Sequence, residues 1–224
     1  ERFEQLRNWT LQARELTQQG RVNEVRPLYK EMLRLHPRYP TGLLGMYESQ
    51  INSGHIKKAA QLLAVAMEVD PRFEPKAELQ QDLRVLAAQG LANAYMGNLS
   101  RAEAIMRQAQ KSGMWQADMF LGDVLSLAQK YEEAESQFQA ALRKNPQSAL
   151  IYANLGRNRA RQKKFPEAIE ALENSLELNP NQPAVANFLA NLRKLAERPK
   201  AIERIHDGLF WDAKKIRLSG GMRI

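Results

Sequence analysis

Leu121-Gly122-Asp123-Val124-Leu125-Ser126-Leu127-Ala128-Gln129-Lys130-Tyr131-Glu132-Glu133-Ala134-Glu135-Ser136-Gln137-Phe138-Gln139-Ala140-Ala141-Leu142-Arg143-Lys144-Asn145-Pro146 decides the fold of this chain. Counted from Gln129, a small residue stands at +5 (Ala134), a large one at +9 (Phe138) and a small one at +12 (Ala141), and Pro146 closes the segment. Gaps of four and three place all three on one helix face. Small side chains let two helices approach, and the large one fills the space opposite. The same offsets recur elsewhere: Val25, Tyr29 and Met32 from Gly20, Ala59, Leu63 and Ala66 from Gly54, Ala102, Met106 and Ala109 from Gly97, and Ala168, Leu172 and Ser175 from Lys163.

The closing prolines keep the same beat. Pro37 to Pro71 is 34 residues and Pro146 to Pro180 is 34 again, the mark of a stacked helical repeat. The third repeat departs from it. Pro71 to Gly97 takes 26 residues where the other first-helix segments take 17, and Ser112-Gly113-Met114 stands where a proline is due. Leu79, Leu83, Leu86 and Leu91 keep near-helical spacing, which predicts a first helix extended over residues 76–96.

These residues resemble the tetratricopeptide repeat family. The resemblance is carried by Leu121-Gly122, Leu125 and Tyr131-Glu132-Glu133-Ala134 through Phe138, Ala141 and Pro146. Leu155-Gly156 with Phe165-Pro166-Glu167-Ala168 and Pro180 carries it next, then Leu91-Ala92-Asn93-Ala94-Tyr95. It covers about residues 6 to 198. It implies an all-α fold, a right-handed α-solenoid of helix hairpins: five repeats and a trailing helix over residues 1–198, with residues 199–224 as a separate basic segment. It also implies a non-enzymatic scaffold for protein–protein interaction.

Composition excludes several other classes. With no cysteine there is no disulfide, thiolate nucleophile or cysteine metal site. His36, His55 and His206 lie far apart without metal-ligand spacing, and no phosphate loop or nucleophile elbow is present. No cofactor and no catalytic constellation is expected. The net charge is +8, of which +5 falls in residues 191–224. The earlier arginines alternate with glutamates and lack interleaved stacking aromatics, which argues against nucleic acid and for an acidic protein segment or an anionic surface. No apolar run reaches membrane-helix length. The chain opens at Glu1 without an initiator methionine, so a fragment or mature form of a longer protein is expected. The missing cysteines fit a bacterial periplasm or cell envelope, the cytoplasm being the alternative.

After Pro199 the period breaks. Residues 200–214 carry Ile202, Ile205 and Leu209 on one side of an amphipathic helix with Trp211 beside them, and residues 215–224 alternate apolar and polar as a short β-strand does. A lone strand needs a partner. That layout is similar to bacterial outer-membrane export proteins, in which a periplasmic repeat array precedes a β-barrel. It implies association with a membrane β-barrel or another downstream domain. A regulatory arm of a larger enzyme is the third expectation.

In the resembling family the first helices line a concave groove. That implies inward positions at Arg7, Thr10 and Arg14, at Leu44, Glu48 and Ile51, and at Asn93. The fourth repeat contributes Met119, Asp123 and Leu127, the fifth Ala153, Arg157 and Arg161, and the trailing helix Asn187, Asn191 and Lys194. The partner-binding set is expected to be Arg157, Arg161, Asn187, Asn191, Lys194, Asn93, Arg14 and Met119. Asparagine can hold a peptide backbone through donor and acceptor, and arginine a carboxylate bidentately, so the expected ligand is a protein or peptide segment, acidic in part. The carboxylate clamp of the chaperone-binding members is broken here, because Met119 and Asp123 stand at two of its places.

Overall fold

The computed structural model describes residues 1–71, 73 and 82–196. These contain α1 (Arg2–Gln18), α2 (Val22–Leu35), α3 (Pro40–Asn52), α4 (Ile56–Val69), α5 (Leu83–Tyr95), α6 (Leu99–Gln110), α7 (Trp115–Leu127), α8 (Tyr131–Lys144), α9 (Ala149–Arg161), α10 (Phe165–Leu178) and α11 (Pro183–Ala196). Among the described residues there is no strand. The helices fall into two compact units divided between Met96 and Gly97. In the first, each of α1 to α5 packs on its neighbour in the chain, and α3 also touches α5; in the second, α6 to α11 do likewise, and α7 touches α9.

The turns follow from residue chemistry. Gly20, Gly54, Gly97, Gln129 and Lys163, the five positions from which the offsets above were counted, all have positive φ, between 62° and 84°. A left-handed residue just past a helix lets the next N–H reach back to an orphan carbonyl. Arg21 N donates to Leu16 O, His55 N to Gln50 O, Lys130 N to Leu125 O and Lys164 N to Arg159 O, all at 2.9–3.0 Å. The proline turns work differently. The residue before a proline is pushed out of the helical region. His36, Asp70, Asn145 and Asn179 end α2, α4, α8 and α10 with φ between −133° and −148°. Where the proline is missing, α6 ends on a helical Lys111 and Gly113 takes φ +71°.

Packing confirms the small–large–small face. Ala134, Phe138 and Ala141 are at most 1% exposed, and Ala168, Leu172 and Ser175 are wholly buried. Each large residue faces a glycine on its partner helix. A Cβ on Gly122 would stand 2.7 Å from Phe138, and one on Gly156 would stand 2.7 Å from Leu172. In the first unit the close approach moves between repeats: a Cβ on Gly45 of α3 would meet the Tyr29 ring of α2 at 2.2 Å.

One expectation changes. Asp82 has extended φ/ψ and its carboxylate accepts from Arg84 N at 2.8 Å. An aspartate in that geometry is an N-cap, so α5 starts at Leu83 and is not continuous with residue 76. Residues 76–81, the helix expected over 200–214 and the strand expected over 215–224 lie outside the described residues.

Candidate functional site

α9 in the second unit carries the expected arginines on one stripe. Leu150, Arg157 and Arg161 are seven and four residues apart, which puts them within about 40° of each other around the helix axis. Residues to either side of the stripe anchor α9. On one side Asn154 Nδ2 approaches Asp123 Oδ2 of α7 at 3.4 Å, and Asn154 Oδ1 accepts from Arg157 Nη1 at 3.1 Å. On the other, Ala153 joins the core cluster of Val185, Leu189 and Leu192 from α11. Further along, Arg161 Nη1 donates to Ser126 Oγ of α7 at 2.7 Å. Asp123, Asn154 and Arg161 each take part in a further interaction. The stripe therefore lies between α7 and α11, with Leu150 46% exposed at its start and the two arginines half-buried.

Burial pushes the Arg157 guanidinium below the usual arginine range, and the negative charge of Asp123 works against that shift. A guanidinium offers five N–H donors, and among the described bonds Asn154 takes one of them. A half-desolvated cation with donors to spare binds a carboxylate more strongly than a solvated one does, because less water has to be removed.

The other expected residues scatter. Asn187, Asn191 and Lys194 are exposed on α11, at i, i+4 and i+7, on a face turned away from Val185, Leu189, Leu192 and Leu195. Arg14 is exposed on α1 in the first unit. Two residues are withdrawn from any contact surface. Met119 is 1% exposed, as is Ala153 at the same place 34 residues on; this position leans on a neighbouring helix and away from solvent. Asn93 is 2% exposed, and its Nδ2 donates to Gln89 O of its own helix at 2.9 Å.

A buried polar group had no place in the sequence expectation. Asp118 on α7 is 2% exposed. Its Oδ1 accepts from Gln110 Nε2 at 2.8 Å, and its Oδ2 pairs with Lys144 Nζ of α8 at 2.6 Å. Gln110 Nε2 also donates to Gln137 Oε1 at 2.7 Å. The signal was there: Asp118 lies four residues before Gly122 and seven before Leu125, on the apolar stripe of its helix, where an unpaired charge would be costly. The network ties α6, α7 and α8 together and lies at their packed faces.

Helix hairpins repeating every 34 residues, with a left-handed turn inside each and a proline between them, define a helical-repeat protein built for contact along its first helices. The tetratricopeptide repeat signature matches residues 16–83 and 125–192, and a second form of it matches residues 87–149. The chain belongs to the tetratricopeptide repeat family. A wheat (Triticum aestivum) Hsp70-Hsp90 organizing protein is 29% identical over 109 residues, which are 46% of this chain and 18% of that protein. The match thus spans less than a fifth of that relative's length. Among solved structures, a thermophilic tetratricopeptide protein of Thermus thermophilus is 18% identical, covers 85% of this chain and 100% of its own, and has a TM-score of 0.51. The first tetratricopeptide unit of Spaghetti, bound to an HSP90 peptide, is 22% identical, covers 53% of this chain and 95% of its own, and has a TM-score of 0.47.

Proposed function

We propose that the chain is a binding scaffold, with no chemistry of its own, that holds a protein or peptide segment along the α7–α9–α11 face of its second unit. The observation that carries this is Arg157: half-buried, oriented by Asn154, four residues from Arg161 and with Asp123 close by. Family membership supports it, since repeat arrays of this kind present extended surfaces to partners. The exposed donors Asn187, Asn191 and Lys194 extend the same surface onto α11. The wheat relative is named for organizing two chaperones, but its partners are not carried over here, because α7 offers a buried Met119 and an acidic Asp123. The export-arm alternative rests on residues 215–224, outside the described residues, and no described helix is long and apolar enough to cross a membrane.

The test is affinity capture with cross-linking from the source cell, run in parallel with the chain and with its Arg157→Glu/Arg161→Glu variant, matched for helicity and melting. A partner segment cross-linked to α9 or α11 and lost in the variant is the expected result. Equal capture by both would end the groove assignment.

A further inference from the structure

The stripe on α9 is not uniformly cationic, and its pattern specifies a ligand more narrowly than an acidic segment. Leu150 opens it, apolar and 46% exposed, whereas Arg157 and Arg161 close it. Seven residues of α-helix span about 10.5 Å. A peptide in the polyproline II conformation rises about 3.1 Å per residue and repeats its facing every third residue. Residues three apart in such a peptide therefore point the same way at about 9 Å, close to the Leu150–Arg157 separation. Asp123 sets the charge. Arg157 and Arg161 together bring two positive charges and Asp123 removes one, so the place is balanced by a single negative charge. A phosphate, at close to two negative charges near neutral pH, meets Asp123 as a like charge.

We propose that this stripe reads an extended segment in which an aliphatic or aromatic side chain, seated on Leu150, stands three residues from an aspartate or glutamate held by Arg157, and that Asp123 disfavours a phosphorylated residue in the acidic place. The inference rests on the groove assignment above and sharpens it.

The experiment is selection of random dodecapeptides displayed on phage against the immobilised intact chain, its Arg157→Gln and Arg157→Lys variants, and Leu150→Ser. Leu150 is an exposed residue in the first turn of α9, so its replacement leaves the core untouched. On the wild type, an apolar residue three positions from an acidic one, in either chain direction, should be enriched at least fivefold over the unselected library. Arg157→Gln should remove the acidic preference and Leu150→Ser the apolar one. Arg157→Lys, which keeps the charge, should retain the acidic preference at lower affinity. The best peptide is then made with glutamate and with phosphoserine at the acidic place and titrated by fluorescence anisotropy. The wild type should prefer glutamate, and Asp123→Asn should shift the ratio at least fivefold toward phosphoserine. Selected peptides without the spacing, no enrichment at all, or a spacing unchanged in both the Arg157→Gln and Leu150→Ser variants would overturn the proposal, as would a phosphoserine preference in the wild type. A cellular partner captured through Arg157 and Arg161 but lacking this spacing would overturn it while leaving the groove standing.

Discussion

Gly122→Ala tests the packing argument through the sign of its effect. Gly122 is buried inside α7, a helix interior in which alanine is about 1 kcal/mol more favourable than glycine on propensity alone. The added methyl would stand 2.7 Å from Phe138 Cε1, 2.9 Å from Cδ1 and 3.0 Å from Cζ. Ordinary van der Waals contact begins near 3.4 Å, so the ring must retreat by about 0.7 Å. Phe138 is 1% exposed and has no open side to move toward. Overpacking of this kind costs roughly 1–3 kcal/mol. Set against the propensity gain, the expected net effect is a loss of about 1 kcal/mol. Urea unfolding followed by circular dichroism at 222 nm reads it as a lower midpoint at an unchanged slope. Phe138→Leu opens space opposite, so in the double variant the two losses should sum to less than their separate total, with a coupling of about 1 kcal/mol. A Gly122→Ala variant that gains stability, or strict additivity in the cycle, would refute close approach at this glycine as the reason for the residue.

The two non-glycine turn residues offer a gain. Gln129 and Lys163 hold φ +62°, a conformation that strains a side-chain-bearing residue by about 1 kcal/mol or more. Gln129→Gly and Lys163→Gly should each stabilise the fold by a net of about 0.5 kcal/mol once the entropy of glycine is included, read as a higher thermal midpoint. Gly20→Ala should show the reverse in thermal melts, a loss of about 1 kcal/mol from the backbone alone, because nothing lies within 4 Å of its Cβ site. Lys144→Met should cost about 2 kcal/mol, less than the full penalty for orphaning a buried charge because Lys144 is itself half-exposed; Asp118 would be left with Gln110 but no counter-charge, and an unchanged urea midpoint would deny the network its stabilising part. Glu103 lies between Lys130, at 2.9 Å, and Arg107, at 2.6 Å. The Lys130 hydrogen bond first, then that of Arg107, holds its carboxyl below the ordinary value of 4.5. A depressed carboxylate stabilises the fold above that ordinary value and loses its contribution as pH falls toward the lower folded one, so Glu103→Gln should lower stability at pH 7 and flatten the decline between pH 5 and 3.

Much of the fold was legible because it is local. A turn residue with positive φ, a proline that forces its predecessor out of the helix, and a small–large–small face are each settled within a dozen residues. Five aligned offsets therefore landed on five left-handed turns. The groove was legible only in direction. Helical spacing places Met119 and Asn93 on a face, but it carries no information about how deeply the neighbouring helices bury them. Arg157 and Arg161 fared better because a long side chain can reach past its neighbours, whereas Met119 ends inside them. The start of α5 was missed because leucines at near-helical spacing do not register a cap, and Asp82 outweighs them with two backbone-and-side-chain bonds to Arg84. The Asp118 network joins residues 26 and 27 positions apart, a separation at which sequence periodicity says nothing.

The hairpins 115–148 and 149–182 share more than a length. Each opens its second helix from a lysine of nearly identical backbone geometry, Lys130 at φ −85° and ψ 64° and Lys164 at φ −81° and ψ 70°. Each seats one large side chain on one glycine, and each leaves through an extended asparagine before a proline. Their ends are interchangeable parts. A 34-residue cassette copied in phase would arrive with its own turn, its own packing glycine and its own exit, and ask nothing new of either flank. An insert one residue longer would carry every glycine onto the wrong face, so the gene can lengthen this array only in whole steps.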